Sequence, residues 1–487
     1  MSLDPRERID AFPYRHRLAE VMGHPVVSAA AGMRLADAAA RMLQAKVSSL
    51  LLLDAAGKPA GIFTEHDLLE AIAANGSAAL EAPLSDHASR PVETLSSDVF
   101  VYRALARMDR LGIRHIVVVD PNDGTAVGVV SARGLLKQRA GLSLALGDAI
   151  AVAEDGRDLA AVQAALPALA RELLAEGLDV RAVAALISAV LRDMSARAAS
   201  LAASALADVG RPAPANWCYL VLGSGGRGES QLIPDQDNAL VHDGGAGDDP
   251  WFAELGTRAS DILDQAGIPY CKGKVMASNP AWRGSLADWH TRIDGWITRA
   301  TEENLLSVDI FYDFEPVHGD RALAAKLRDH AAEAGRARPF LVMLARELGA
   351  GGTPLGFFGG LKTEQGRLDL KLHGLFPIVA GARVLALKLG EVQTSTLERL
   401  RAATTAGIIA EDDFAALDHA QALFLRLILD QQILDIEAGL APTVRVDIRR
   451  LGGVVRRRLK EALRQTGIVQ RLVQDALTSD RRSFGDR

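Results

Sequence analysis

The chain has 487 residues, 49% hydrophobic, 24% charged and 5% aromatic, with a formal net charge of −6. That length accommodates roughly three domains, and the composition excludes a disulfide-stapled miniprotein, a collagen-like repeat and a disordered polyelectrolyte. The net acidity gives no global attraction for nucleic acid. The charged start, MSLDPRERIDAF, lacks the apolar stretch of a secretory signal. No uncharged apolar run approaches the roughly 18–20 residues that span a bilayer. Cys218 and Cys271 make neither a framework nor a C-x-x-C pair, so two free thiols in a reducing, cytoplasmic protein are expected.

Taken in chain order, the first feature is a repeat. PVVS from Pro25 and PVET from Pro91 open two parallel segments. Each continues as an Ala-rich stretch reaching Met42 or Met108, then an apolar run ending in Asp54 or Asp120. GIFTEHDLLEAI from Gly61 and GVVSARGLLKQR from Gly128 close them. The offset is 66 residues as far as the aspartates and 67 from the glycines, as a one-residue loop insertion produces. Helix, buried strand, turn, strand and helix, given twice, predict a paired α/β module; a solenoid needs about three repeats or more.

This pair, over residues 20–140, resembles two cystathionine-beta-synthase (CBS) domains forming one Bateman module. In that family a G-x-x-T-x-x-D stretch meets the ribose and phosphates of adenine nucleotides. Gly61, Thr64 and Asp67 match it in full. The second copy keeps Gly128 and Ser131 but has Gly134 where the family has Asp. The resemblance therefore implies an adenine nucleotide regulator held by Gly61, Thr64, Asp67 and Ser131, with the second site weakened, and a homodimer through the CBS modules. Read from the residues alone, Thr64 and Asp67 equally suit a cap on the following helix.

Residues 141–212 are Ala- and Leu-rich with apolar spacings of three and four (Leu159, Val162, Leu166, Leu169, Leu173), which predicts a linker of amphipathic helices. GRPAPA ends it, and WCYLVLG from Trp217 is a buried strand in character. An α/β core is expected over 213–335 and a helical domain over 336–480, making the fold multidomain α/β plus α. Trp282, Leu286, Trp289, Ile293 and Trp296 form an apolar helix stripe suited to core packing. From Arg445 onward 12 basic residues face five acids, which reads first as a solvated helix face and second as a surface for phosphate or an acidic partner.

The chemistry concentrates in WCYLVLGSGGRGESQLIPDQDNALV, residues 217–241. A strand enters Gly223-Ser224-Gly225-Gly226-Arg227-Gly228-Glu229, and Asp235 and Asp237 precede a second apolar run. Strand alternation puts both carboxylates on one side. Such a pair persists best around a divalent cation, and hard oxygens favour Mg²⁺ completed by phosphates and water. Glycines allow backbone N–H groups close to a triphosphate, and Arg227 adds a fixed charge.

The combination resembles the polymerase-beta-like nucleotidyltransferase superfamily, and more closely a bacterial family of nucleotidyltransferases fused behind CBS pairs, related to PII uridylyltransferases and glutamine-synthetase adenylyltransferases. The resemblance spans about residues 20–475. It implies metal ligation by Asp235 and Asp237 (Mg²⁺ or Mn²⁺), with a third acid on a later strand. Asp313, three residues before Pro316, fits that pattern, with Asp309 as the alternative; Glu315 stands where relatives carry Arg. It also implies NTP contacts from Gly223, Ser224, Arg227, Glu229 and Lys371, the last in an L-D-L-K-L-H-G stretch; from the residues alone Lys371 and Asp369 could form a surface ion pair.

The implied function is Mg²⁺-dependent transfer of a nucleoside monophosphate from an NTP to a hydroxyl on a protein acceptor. The alternative is a non-catalytic nucleotide sensor in signal transduction. Membrane and nucleic acid are not expected as partners.

Overall fold

The computed structural model describes residues 16–298, 310–348, 354–356 and 360–479. The chain divides into two compact units, Met1–Ala145 and Leu146–Arg487.

The first unit carries the repeat at the expected offsets. Its first copy runs α1 (Leu35–Ala45), β1 (Ser49–Leu53), β2 (Pro59–Thr64) and α2 (Glu65–Asn75). A short β3 (Thr94–Ser96) precedes the second copy, α3 (Val101–Leu111), β4 (His115–Val119), β5 (Ala126–Ser131) and the start of α4 (Ala132–Val152), whose residues from Leu146 belong to the second unit. β1 and β2 pair antiparallel, as do β4 and β5, with β3 parallel to β4. Each copy buries its own core: Leu35, Ala38 and Met42 against Leu50, Leu52 and Phe63, then Val101, Ala104 and Met108 against Ile116, Val118 and Val130. Helix positions separated by three, four and seven meet alternate strand positions, the two periodicities that create one buried face each.

In the second unit, α5 (Gly156–Ala175) and α6 (Val180–Asp208) begin behind side-chain caps from Asp155 and Asp179. These helices, read from the sequence as a linker, are walls of the domain: Leu159, Val162, Leu166, Val183 and Ile187 share a core with Cys218 and Leu220. That core packs against a four-stranded sheet of β6 (Trp217–Val221), β7 (Asn238–His242), β8 (Arg283–Ser285) and β9 (Glu315–Gly319). Between the strands lie the five-residue α7 (Gly223–Arg227), α8 (Asp249–Gln265) and α9 (Leu286–Thr298). Trp289, Ile293 and Trp296 of α9 are buried, with Trp289 stacked on Phe311 at 5.2 Å. The expected core packing is realised, although Trp282 sits in a 3-10 turn ahead of β8 and not on the helix.

The spatial order is β8-β7-β6-β9, with β6 antiparallel to both β7 and β9. Val221, the last residue of β6, therefore stands opposite Asn238, the first of β7, and Glu315, the first of β9. One end of the sheet thus gathers the loop after Val221, the residues before Asn238 and the residues before Glu315.

Beyond the sheet, α10 (Arg321–Gly335) and α11 (Arg338–Glu347) lead to β10 (Arg367–Asp369), a π-helical turn over Lys371–Leu375, and α12 (Phe376–Leu389). Then come α13 (Thr396–Thr405), α14 (Glu411–Glu437), β11 (Arg445–Asp447) and α15 (Gly453–Ser479). Every residue from Ile378 to Leu387 is buried, because α12 is packed against α11, α13 and α15. Lys371–Leu389 is long and apolar enough to cross a membrane, but 61% of its most apolar window is inside the unit, as befits the central helix of a bundle. Arg456, Arg457 and Arg458 on α15 are exposed.

Candidate active site

The sheet end carries a cavity of about 390 Å³ whose walls include Gly223, Ser224, Arg227, Asp235, Asp237, Cys271, Lys371, Phe376 and Arg383. The segment Asp235-Gln236-Asp237-Asn238 is held by its alternate residues. Gln236 and Asn238 are buried; Gln236 Nε2 donates to the carbonyls of Ser260 (2.9 Å) and Ile268 (2.8 Å), and Asn238 Oδ1 accepts from Ala277 N–H (2.8 Å). Asp235 and Asp237 point the opposite way, into the cavity. They lie just ahead of β7 rather than inside a strand, in a three-residue turn closed from the Asp237 N–H to the Asp235 carbonyl at 3.1 Å, yet alternate residues still face opposite ways.

Gly223 follows β6 with φ +56°, and a Cβ there would sit 3.0 Å from Asp237 Oδ2. Glycine therefore both permits the left-handed turn and leaves room for the carboxylate. The oxygens of Asp235 and Asp237 and the Sγ of Cys271 lie within 4.8 Å of one another. Asp237 Oδ1 is buried with no hydrogen-bond partner among the described residues, and an orphaned acceptor of that kind is costly unless something meets it. Burial and then the neighbouring Asp235 charge push the Asp237 carboxyl up to about 6, against the opposing effects of the Cys271 thiol, Lys371 and Arg227. The donor set fits a divalent cation. Burial, followed by the Asp237 charge, pushes the Cys271 thiol up to about 11.

Asp313 corrects the sequence expectation. It lies in a turn two residues before β9, fully buried, and both its oxygens are taken by guanidiniums. Arg227 Nη1 and Arg383 Nη2 each donate to Oδ2 at 2.6 Å, and Arg399 Nη1 donates to Oδ1 at 2.6 Å. Burial opposes ionisation, but Arg383, Arg399 and Arg227 outweigh it and hold the carboxyl below the ordinary carboxylate range. A carboxylate saturated by three arginines is not available to a cation, so Asp313 does not join Asp235 and Asp237. Asp309 lies outside the described residues.

The packing behind this cluster is tight. A Cβ on Gly226 would fall 1.7 Å from the Asp313 carbonyl oxygen. Gly226→Ala is therefore expected to cost about 2–3 kcal/mol by overpacking, read as a lowered midpoint in chemical denaturation.

Glu229 lines the cavity but is committed elsewhere: it accepts from Arg227 Nε (2.9 Å), the Thr396 N–H (3.0 Å) and Gln421 Nε2 (3.2 Å). It orients Arg227 and ties the loop to α13 and α14. Asp369 accepts from the Leu372 N–H and lies 3.9 Å from Arg445, so the surface pair with Lys371 does not form; Lys371 faces the cavity. Glu315 pairs with Arg328 at 3.5 Å, which settles the charge left by the missing arginine. Cys271, Arg383 and Arg399 were missed from the sequence. Arg383 had a signal: it is the lone charge between Phe376 and Leu387, and a charge in so apolar a helix requires a buried partner.

In the first unit, Thr64 and Asp67 form a reciprocal cap on α2. Asp67 Oδ2 accepts from the Thr64 N–H (2.7 Å) and Oγ1 (2.8 Å), while its Oδ1 accepts from Ser89 Oγ (3.1 Å). Ser131 Oγ accepts from the Gly134 N–H at 2.9 Å. The two copies differ beside their glycines. A Cβ on Gly128 would be 2.5 Å from Met22 Sδ, whereas beside Gly61 the neighbours are Ala88 Cβ and Arg90 Nε at 3.3–3.4 Å. The side chain of Met22 presses directly on the glycine of the second copy, whereas Arg90, Ala88 and Leu52 stand about an ångström further from that of the first.

The chain matches three family models: "Putative nucleotidyltransferase DUF294" over residues 164–303, "Putative nucleotidyltransferase substrate binding domain" over 338–477, and "CBS domain" over 18–74 and 84–141. The first match begins inside α5, in keeping with the packing of α5 and α6 into the sheet domain. An uncharacterized protein of Methanopyrus kandleri is 28% identical over 120 residues, 25% of this chain and 61% of that protein. An uncharacterized 17.7 kDa protein of Acidianus ambivalens is 31% identical over 103 residues, 21% and 60%. The chain thus spans about three fifths of the length of the curated relatives it matches. Among solved structures, a CBS domain protein of Pyrobaculum aerophilum complexed with AMP is 32% identical, covering 27% of this chain and 98% of that one with a TM-score of 0.24.

Proposed function

We propose that this chain, which belongs to the family joining a CBS pair to a DUF294 nucleotidyltransferase domain and its substrate-binding domain, transfers a nucleoside monophosphate from an NTP to a protein hydroxyl and is regulated by an adenine nucleotide at the CBS pair. The observation that carries this reading is the pairing of Asp235 with Asp237 on one cavity wall beside the Gly223 turn. Asp235 and Asp237 would hold a divalent cation, Mg²⁺ or Mn²⁺, which when bound neutralises phosphate charge and acidifies an acceptor hydroxyl. Gly223 and Ser224 let backbone approach the phosphates closely. Arg227, fixed by Asp313 and Glu229, supplies a rigid guanidinium, and Lys371 a movable point charge. Leu375, Phe376 and Val379 give the cavity an apolar stretch of wall, suited to the face of a base and to excluding water.

The test is incubation of the protein with Mg²⁺ and each labelled NTP, alone and with cell extract. Pyrophosphate release together with label on protein is expected; no release with any NTP would refute transfer.

At the CBS pair, the full Gly61, Thr64 and Asp67 pattern supports binding in the first copy, while Met22 packs tightly on Gly128 in the second. Asp67→Ala in the full chain is expected to weaken AMP, ADP or ATP binding about ten- to a hundredfold, by removing a charged acceptor for ribose hydroxyls. Isothermal calorimetry measures it, and an unchanged affinity would move the site elsewhere.

A further inference from the structure

Cys271 is beside the carboxylates for a structural reason. The Gln236 N–H donates to the Pro269 carbonyl at 3.2 Å, Gln236 Nε2 to that of Ile268, and the Asn238 N–H to that of Val275 at 3.0 Å. These bonds strap the Asp235–Asn238 segment along residues 268–275. A turn closed from the Lys274 N–H to the Cys271 carbonyl, at 2.9 Å, then presents the thiol beside Asp237. Cys271 is 8% exposed and shares the cavity wall with the two acids. Cys218, by contrast, sits inside β6 and lines no part of it. Two independent observations meet here: three donor atoms within 4.8 Å of one another, and a buried Asp237 Oδ1 without a partner.

The donor types then decide which ion suits the site. Mg²⁺ takes oxygen ligands and keeps several waters. Sulfur selects softer ions, for which two carboxylates and one thiolate fill three positions of a tetrahedron and leave the fourth open. We propose that Cys271 makes this a mixed oxygen–sulfur cation site, in which an ion of the Zn²⁺ and Co²⁺ class binds through Asp235, Asp237 and Cys271 while Mg²⁺ binds through the carboxylates alone. The inference rests on reading the acid pair as a cation site. On binding, a metal–sulfur bond forms, the S–H bond breaks and its proton goes to buffer, with no change of oxidation state. A soft ion would accordingly compete with Mg²⁺ for the same carboxylates.

Titration of the full chain with Co²⁺ tests this spectroscopically. The expected result is a near-ultraviolet sulfur-to-cobalt charge-transfer band that saturates at one ion, is displaced by Zn²⁺, persists in Cys218→Ser and vanishes in Cys271→Ser. The ratio of Zn²⁺ to Mg²⁺ affinity should fall roughly tenfold or more in Cys271→Ser, since losing a ligand costs no less than losing an outer-shell partner. Co²⁺ binding without that band, no Co²⁺ binding at all, or an unchanged ratio would each overturn the proposal. Mg²⁺-dependent pyrophosphate release without the band would leave nucleotidyl transfer standing and remove the thiol from the site. The band without release from any NTP would do the reverse.

Discussion

Asp237→Asn is expected to lower Mg²⁺-dependent pyrophosphate release on the order of 10²–10³-fold, the effect of deleting one preorganised electrostatic contact to a transition state. Asn keeps the shape and removes the charge, so the loss reports charge. Asp235→Asn should also lower turnover, but by less, because Asp235 is exposed whereas Asp237 is half-buried between Gly223 and Cys271. Stability should move the other way. In the protein without a cation, Asp237 carries a buried, unpartnered oxygen and a like charge beside it, and Asn removes the buried charge and its repulsion. Asp237→Asn should therefore melt at or above the wild-type temperature while losing turnover. Steady-state kinetics and a thermal melt on the same preparation check both halves; equal turnover in mutant and wild type would end the enzymatic reading.

What could be read from the sequence was whatever depends on local periodicity. The 66-residue offset reappears as α1 over α3 and β1 over β4 because one buried helix face and one buried strand face define each copy. The alternation of Asp235-Gln236-Asp237-Asn238 was legible for the same reason. What escaped depends on tertiary register. Cys271 reaches the acids through backbone hydrogen bonds across more than 30 residues. Asp313 looked like a third metal acid because its spacing to Pro316 fits the family pattern, and spacing says nothing of arginines on α7, α12 and α13. The helices of 141–212 resembled a linker because an amphipathic face does not specify what it will pack against.

Asp313→Ala should accordingly fail as a folding variant before it fails as a catalytic one. The carboxylate is fully buried, and Arg383 and Arg399 beside it are each only 4% exposed. Removing the acid takes from Arg227, Arg383 and Arg399 the buried carboxylate they share. Breaking a buried ion pair from one side costs roughly 3–5 kcal/mol, because the abandoned charge has no water to return to. The three arginines come from separate elements, so the loss also weakens the tie between the Gly223 loop and α12. Asp313→Asn, which can still accept hydrogen bonds, should fall between Ala and wild type. The sign with pH follows from the lowered carboxyl: this stabilisation is present above ordinary carboxylate values and is lost only as pH falls through the depressed pKa, so wild type and Asp313→Asn should converge only in strong acid. Urea denaturation across pH measures this. A metal-ligand role makes the opposite forecast: Asp313→Asn would melt like wild type and bind Co²⁺ or Mg²⁺ more weakly. The two readings separate on one variant, and the three bonds of 2.6 Å favour the first.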